Sequence, residues 1–482
     1  VLDAATELAW EHLHREHCQH WEAAWDRCDV VIEGDDEAQL ILRTSIYHLL
    51  RAHVPGDSRV AIGAKGYAGE AYKGHFFWDT EIYLLPFYLY TVPEKARTLV
   101  DFRIGCLSQA RELATSLGYG GARFPWESDA NGIECCSGFQ YSDHEIHVTA
   151  DVVYGLAHYY AAAGEAAMTP EAARVAVETA RYWQDRIDWR DGEGFPSILG
   201  VMGPDEYAPI TANNAYTNRL AAFNLALAAR VGADGGATPD EIEAFARLAD
   251  GLPIHRSSRD AQLVLQCEGF ESLAEPRFDK CWADRKGCYA ARVSQERLYR
   301  SKNLKQADVL LLLMLFPDEF TDAEVQTAWD YYLPVTTHDS SLSAGIHAII
   351  AQRLGRYEDA WTFFMKSAAM DLDTDHGAAA QGIHIAGCGA NWQVVMFGFA
   401  GLKTSLQSES LSLAPRLPAH WTRLEFPLVW KGIPARVTIT PSECRVTNEG
   451  SAPLAVSVHG TRQAVAPGET VTFAAVFLLS DP

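Results

Sequence analysis

The chain has 482 residues, 48% of them apolar and 21% charged, a globular composition that excludes whole-chain disorder, collagen and coiled coil. Its 63 acidic side chains outnumber 40 basic ones, and the net charge of −23 repels polyanions, so nucleic acid is not an expected partner. The longest apolar run, Val309 to Phe316, falls far short of the about 20 residues that cross a bilayer, so no membrane partner is expected either.

The length points to one large domain with a smaller one attached. The opening VLDAATELAWEHLHREH is charged and has no cleavage site after an apolar run, so it does not read as a secretory signal, and a start at Val1 reads as a trimmed chain. The ten cysteines, including adjacent Cys135 and Cys136, lack the spacing of a disulfide framework or a four-Cys zinc site, which points to a reducing cytoplasm.

Up to about residue 400 the pattern is helical. Thr238 with Glu241 and Thr321 with Glu324 fit capping boxes, and Thr169-Pro170 puts proline at a first helical position. Between these signals lie runs that read as amphipathic, such as Asp151 to Ala162 and Asn218 to Ala229, so helical pairs around one core are expected. After Leu411 the period changes to two in ARVTIT (435–440) and LAVSVH (454–459), with turns at Asn448-Glu449-Gly450 and Ala466-Pro467-Gly468. This reads as a small antiparallel β-sandwich.

Four segments mix aromatics, glycines and polar groups in a way that an ordinary helix face does not. In GEAYKGHFFWDTEIYLLPF (69–87), Tyr72, Phe76, Phe77 and Trp78 offer flat faces for sugar rings, and Asp79 and Glu81 offer acceptors for hydroxyls. A buried helix end with capping acids is the alternative. GARFPWESD (121–129) combines Arg123, Trp126 and Glu127 and reads equally well as a surface loop. In GPDEYAPITANNAYTN (203–218) a turn can hold Glu206 in a cleft, with Asn213, Asn214 and Tyr216 at hand; a carboxyl screened there would have its pKa raised and could donate a proton. A capping Asp205-Glu206 pair is the competing reading. In VTTHDSSLSAG (335–345) with DHGAAAQGIHIAGCGANW (375–392), Thr336, Ser340, Ser341, His376 and the Gly377 N–H are donors that could surround a small anion.

Other chemistries find less support. A Ser-His-Asp triad lacks the Gly-x-Ser-x-Gly elbow, and His338, His347, His376 and His384 have no metal-ligand spacing. The Gly387/Gly389 pair follows no strand, so neither a dinucleotide nor any other organic cofactor is implied.

Taken together, YKGHFFWDTE, RFPWES, GPDEY with NNAYTN, KQADV (305–309), HDSSLS and GIHIA resemble the disaccharide phosphorylases of glycoside hydrolase family 65, which act on maltose, trehalose and kojibiose. The resemblance implies a mainly α protein: a helical linker over 1–34, an (α/α)6 toroid over 35–405 and a C-terminal β-sandwich over 406–482. It also implies Glu206 as general acid, and Trp78, Asp79, Trp126, Glu127, Lys305 and Gln306 on the glucosyl unit. Thr336, Ser340, Ser341, His376 and Gly377 would hold phosphate, which is a co-substrate; no cofactor or metal is implied. The reaction expected is inverting phosphorolysis of an α-glucoside to β-glucose 1-phosphate. An inverting hydrolase, in which Asp371, Asp375 or another acid serves as base, and a passive sugar-binding protein are the rival readings. Two departures from the family stand out. The usual N-terminal β-sandwich is not seen, which bears on the homodimer that the family allows, and Ala378 to Gln381 replaces residues that are more often polar.

Overall fold

The computed structural model describes residues 9–66, 71–164, 168–190, 192, 194–372, 382–403, 406 and 408–474. Capping at the sites read from sequence starts several helices: Thr238 and Thr321 close complete capping boxes, and Thr169 accepts from the Ala172 N–H.

The helices alternate between an outer and an inner layer. The outer layer holds α2 (Asp36–Ala52), α4 (Pro93–Gly105) with α5 (Leu107–Ser116), α7 (Pro170–Arg186), α9 (Pro239–Gly251), α11 (Asp322–Tyr332) and α13 (Tyr357–Ala368). The inner layer holds α3 (Leu85–Thr91, continuing a π-helical turn Thr80–Leu84), α6 (Val148–Ala163), α8 (Ala215–Gly235), α10 (Val309–Leu315), α12 (Ser343–Arg353) and α14 (Ile385–Gln393). Each inner helix packs on the next in this order, and α14 returns to α3, so the ring closes. At the seam a Cβ on Gly389 would lie 2.2 Å from the Tyr83 carbonyl oxygen; only glycine lets these backbones approach so closely.

Burial separates the layers. The outer α9 buries only Phe245 and Leu248, whereas α12 is buried from Ser343 to Gln352 and α6 from Val148 to Tyr160. Where an inner helix touches both ring neighbours and its outer partner along its length, as α6 and α12 do, hardly any face is left for water. The expectation of an amphipathic helix is corrected at 151–162, which is buried nearly all round, whereas 218–229 keeps one outer face at Arg219, Ala222, Phe223, Ala226 and Ala229; Asp151, Thr217, Asn218 and Asn224 are polar yet buried and hydrogen-bonded.

The second domain has two sheets. Strands β1 (Val31–Glu33), β3 (Arg423–Trp430), β4 (Ile433–Ile439), β5 (Glu443–Asn448) and β8 (Thr470–Ala474) form one, in the order β1-β3-β4-β5-β8. Strands β2 (Leu411–Leu413), β6 (Leu454–Val458) and β7 (Thr461–Val465) form the other, in the order β7-β6-β2. Leu424, Phe426, Leu428 and Trp430 alternate inward along β3, as the period of two requires. Two expectations are corrected. Pair β6/β2 is parallel, with Val456 opposite Leu411, so the sandwich is not wholly antiparallel. The leading segment is also more than a helical linker: after α1 (Trp10–Cys28), β1 joins the C-terminal sheet with Ile32 opposite Leu424. Trp430 stacks on Tyr90 of α3 at 6.1 Å and 10°, seating this domain on the toroid. No helix among the described residues is long and apolar enough to cross a membrane.

Candidate active site

Because outer and inner helices alternate, the six inner helices all run the same way, and the residues just before each one meet at one mouth of the ring. Trp78, ahead of α3, lies 4.9 Å from the His147 ring ahead of α6 and 6.0 Å from Tyr216 at the start of α8. Asn214 caps α8 and donates to Asp308, the residue ahead of α10, at 3.2 Å. At this mouth opens a cleft of about 620 Å³, lined in part by Trp78, Asp79, Trp126, Glu127, Glu206, Lys305, Gln306, Ser340, Ser341 and His384.

The loop carrying Glu206 is held from below. Asp205 is fully buried and accepts from the Lys305 N–H at 2.7 Å and from Gln266 Nε2 at 2.9 Å, while its own N–H donates to Asp308 at 3.2 Å. Gly203 makes this approach feasible, since a Cβ there would stand 2.5 Å from Asp308 Oδ2. Burial pushes the Asp205 carboxyl up to about 7 and that of Asp308 up to about 6. Glu206, next in sequence, instead faces the cleft and pairs with Lys305 Nζ at 2.6 Å. Burial works against the Lys305 charge, but Glu206, by its charge and its hydrogen bond, holds the ammonium above the ordinary lysine value.

Aromatic walls flank this pair. Phe77 meets Trp126 edge to face at 6.0 Å, and Glu127 is braced by His75 Nδ1 at 2.7 Å. Glu134 accepts from the N–H groups of Trp126, Glu127 and Cys136 and so shapes the loop. Burial, followed by the charge of Glu81, pushes Asp79 up to about 7, which makes it a donor as well as an acceptor near neutrality.

On the side opened by α12 and α14, Ser340 and Ser341 lie beside His384. A Cβ on Gly387 would fall 3.6 Å from His384 Cβ and 4.0 Å from Ser341 Cβ. Asp371 fixes the histidine doubly, accepting from its backbone N–H at 2.9 Å and meeting Nδ1 at 2.7 Å. Asp371 itself is not in the cleft lining.

Several sequence expectations change here. Glu81 does not meet hydroxyls, because it is buried in an ion pair with Arg103 at 2.7 Å. Phe76 packs on Phe102, and Arg123 is buried and donates to the Ser142 carbonyl. Asn213, Asn214 and Tyr216 are spent inside the ring on Ser197, Asp308 and Asp151. Thr336 is absent from the lining, and its hydroxyl donates to the Tyr332 carbonyl at 2.8 Å. His376, Gly377, Asp375 and the 378–381 stretch lie outside the described residues. The imidazole that the described structure brings to the two serines is that of His384, which lies in the GIHIA motif but has no role assigned to it from sequence. Tyr141, Asp339 and Lys65 also line the cleft; Asp339 lies in the HDSSLS motif without being singled out by it, and no local motif marks Tyr141 or Lys65.

The chain belongs to glycosyl hydrolase family 65: the family's central catalytic domain matches residues 43–393, and its C-terminal domain matches residues 405–465. It is similar to the kojibiose phosphorylase of Caldanaerobacter subterraneus, with 35% identity over 477 residues covering 93% of this chain and 62% of that protein. It is also similar to the alpha,alpha-trehalose phosphorylase of Thermoanaerobacter brockii, with 34% identity covering 91% of this chain and 58% of that protein. This chain thus spans less than two thirds of the length of either relative. A solved structure from the human microbiome, provisionally named a kojibiose phosphorylase, superimposes with a TM-score of 0.90 at 28% identity, covering 98% of this chain and 67% of that one. The mainly α toroid with a C-terminal β domain is therefore the family's fold.

Proposed function

We propose that this chain catalyses the inverting phosphorolysis of an α-glucoside to β-glucose 1-phosphate and a free acceptor. One placement carries the reading: Glu206 precedes the third inner helix and His384 the sixth, so in a closed ring of six they enter half a turn apart. A proton donor on one side of a sugar and an anion pocket on the other is what a single in-line displacement requires.

In the proposed reaction Glu206 leaves Lys305, takes up a proton from solvent and gives it to the glycosidic oxygen as the bond from that oxygen to the anomeric carbon breaks. Lys305 and Gln306 then turn to sugar hydroxyls, with Trp78, Trp126, Asp79 and Glu127 around the ring. A phosphate oxygen forms the new bond from the opposite face. The proton that the phosphate sheds on becoming a glucosyl ester balances the one that Glu206 has given up. Ser340, Ser341, His384 and the N–H groups at the start of α14 are the donors suited to that anion.

An inverting hydrolase needs a second carboxylate about 6.5–9.5 Å from the acid to activate water. Asp371, the described acid beside α14, has both oxygens engaged by His384. Incubation with kojibiose, trehalose, maltose and nigerose, with and without phosphate and with the product anomer assigned by NMR, is the test. Sugar release that ignores phosphate would refute phosphorolysis, and binding without turnover would make the site a passive one.

A further inference from the structure

Lys65 is buried, with 5% of its surface exposed, yet it lines the cleft. Its neighbour Gly66 abuts the start of α14, since a Cβ there would fall 2.3 Å from Cγ1 of Ile385, the residue after His384. Lys65 therefore shares the cleft with His384 and Ser341, and its chain neighbour touches the start of the helix that His384 precedes. Among the described residues no carboxylate forms an ion pair with it, and its Nζ lies 6.0 Å from the centre of the Tyr72 ring. Burial pulls its ammonium below the ordinary lysine value, and Asp371 and Asp79 oppose this only through space. By contrast Lys305, the other cleft lysine, is fully engaged by Glu206.

A buried cation that no described carboxylate touches is costly, and a binding cleft is where an incoming anion relieves that cost. The neighbouring donors, two hydroxyls, an imidazole and helix N–H groups, suit a tetrahedral oxyanion but bring little formal charge against a net −23. We propose that Lys65 is a phosphate-binding residue, supplying the positive charge of the anion pocket formed by Ser340, Ser341, His384 and the start of α14. The assignment rests on the phosphorolysis reading for its role in turnover, but the binding step can be measured without turnover.

The test is a 31P NMR titration of inorganic phosphate against the wild type, Lys65→Ala, Lys65→Gln and Lys65→Arg, with KM for phosphate and for the disaccharide measured in parallel and folding checked by circular dichroism. Expected is a loss of phosphate affinity of roughly tenfold or more in the Ala and Gln variants, the scale of one charge-assisted hydrogen bond. The disaccharide KM should stay within about twofold, and Arg should recover most of the phosphate affinity, because it restores the charge. Unchanged phosphate affinity in whichever neutral variant folds overturns the proposal, as does a rise confined to the disaccharide KM. A wild type that binds no phosphate overturns both this assignment and phosphorolysis. A wild type that binds phosphate but only hydrolyses glucosides overturns the reaction alone, and the titration still decides Lys65.

Discussion

Lys305 Nζ lies 2.6 Å from Glu206 Oε1, and both side chains keep some exposure to the cleft, 24% and 21%. A carboxylate held in an ion pair cannot at the same time protonate a leaving group, so the proposed reaction requires this pair to part. In that proposal substrate hydroxyls draw Lys305 away before Glu206 acts.

Glu206→Gln keeps the shape and removes the proton donor. Turnover should drop by about 10²–10⁴-fold, the usual contribution of general acid catalysis. Disaccharide affinity and the thermal midpoint should change little, because Asp205 rather than Glu206 anchors the loop. Steady-state kinetics with calorimetric binding decide it, and turnover within a few-fold of wild type would remove Glu206 from its role.

The Glu81–Arg103 pair is buried at both ends, with 4% and 3% of the side chains exposed. Glu81→Leu alone strands a guanidinium inside the ring and should cost about 3–5 kcal/mol. Adding Arg103→Met should recover much of that, because the two charges leave together. Urea midpoints of the three proteins measure this, and a single variant as stable as wild type would contradict the ion pair.

Two glycines of α14 should respond differently to a methyl group. Gly389→Ala drives Cβ to 2.2 Å from Tyr83 O at the ring seam, an overpacking expected to cost about 1–3 kcal/mol or more. Gly387→Ala meets its nearest side chain at 3.6 Å, an ordinary contact, and should fold normally. Equal thermal midpoints for the two variants would argue against the closed seam.

Stability should fall between pH 7 and 9. Burial pushes Glu145 up to about 8, while burial opposes and Asp151 and Glu145 favour the His147 charge, leaving it raised to about 9. Both groups therefore hold protons in the folded chain that the unfolded chain has released, so the folded state binds more protons across this window and loses stability as pH rises. His53, His158 and His347 are held down to about 4 and contribute no slope here, being neutral in either state. Glu145→Gln should flatten the dependence; a urea midpoint that rises from pH 7 to 9 in the wild type would be the contrary result.

Much of the architecture is legible along the chain because it is written in local physics. The capping boxes at Thr238 and Thr321 and the period-two strands at 435–440 and 454–459 appear where read, since each depends on residues within a few positions of one another. The motif holding Trp78 and Asp79 and the one holding Glu206 likewise lead to the cleft. What misled was position relative to partners far away in sequence. Glu81 reads as a sugar acceptor until Arg103 claims it, and Asn214 reads as a ligand until it caps α8 and bonds Asp308.

By itself, then, the sequence determined helical hairpins followed by strands, a strongly acidic protein and a family resemblance carried by short aromatic and acidic motifs. Only the closed ring decided which of those side chains share a cleft. It set His384 beside Ser341, turned Lys65 into the same cleft, withdrew Thr336 and Tyr216, and recruited Val31–Glu33 into a sheet nearly 400 residues away. The reason is geometric: six parallel inner helices bring their first residues to one mouth, and no local pattern records which residues will meet there.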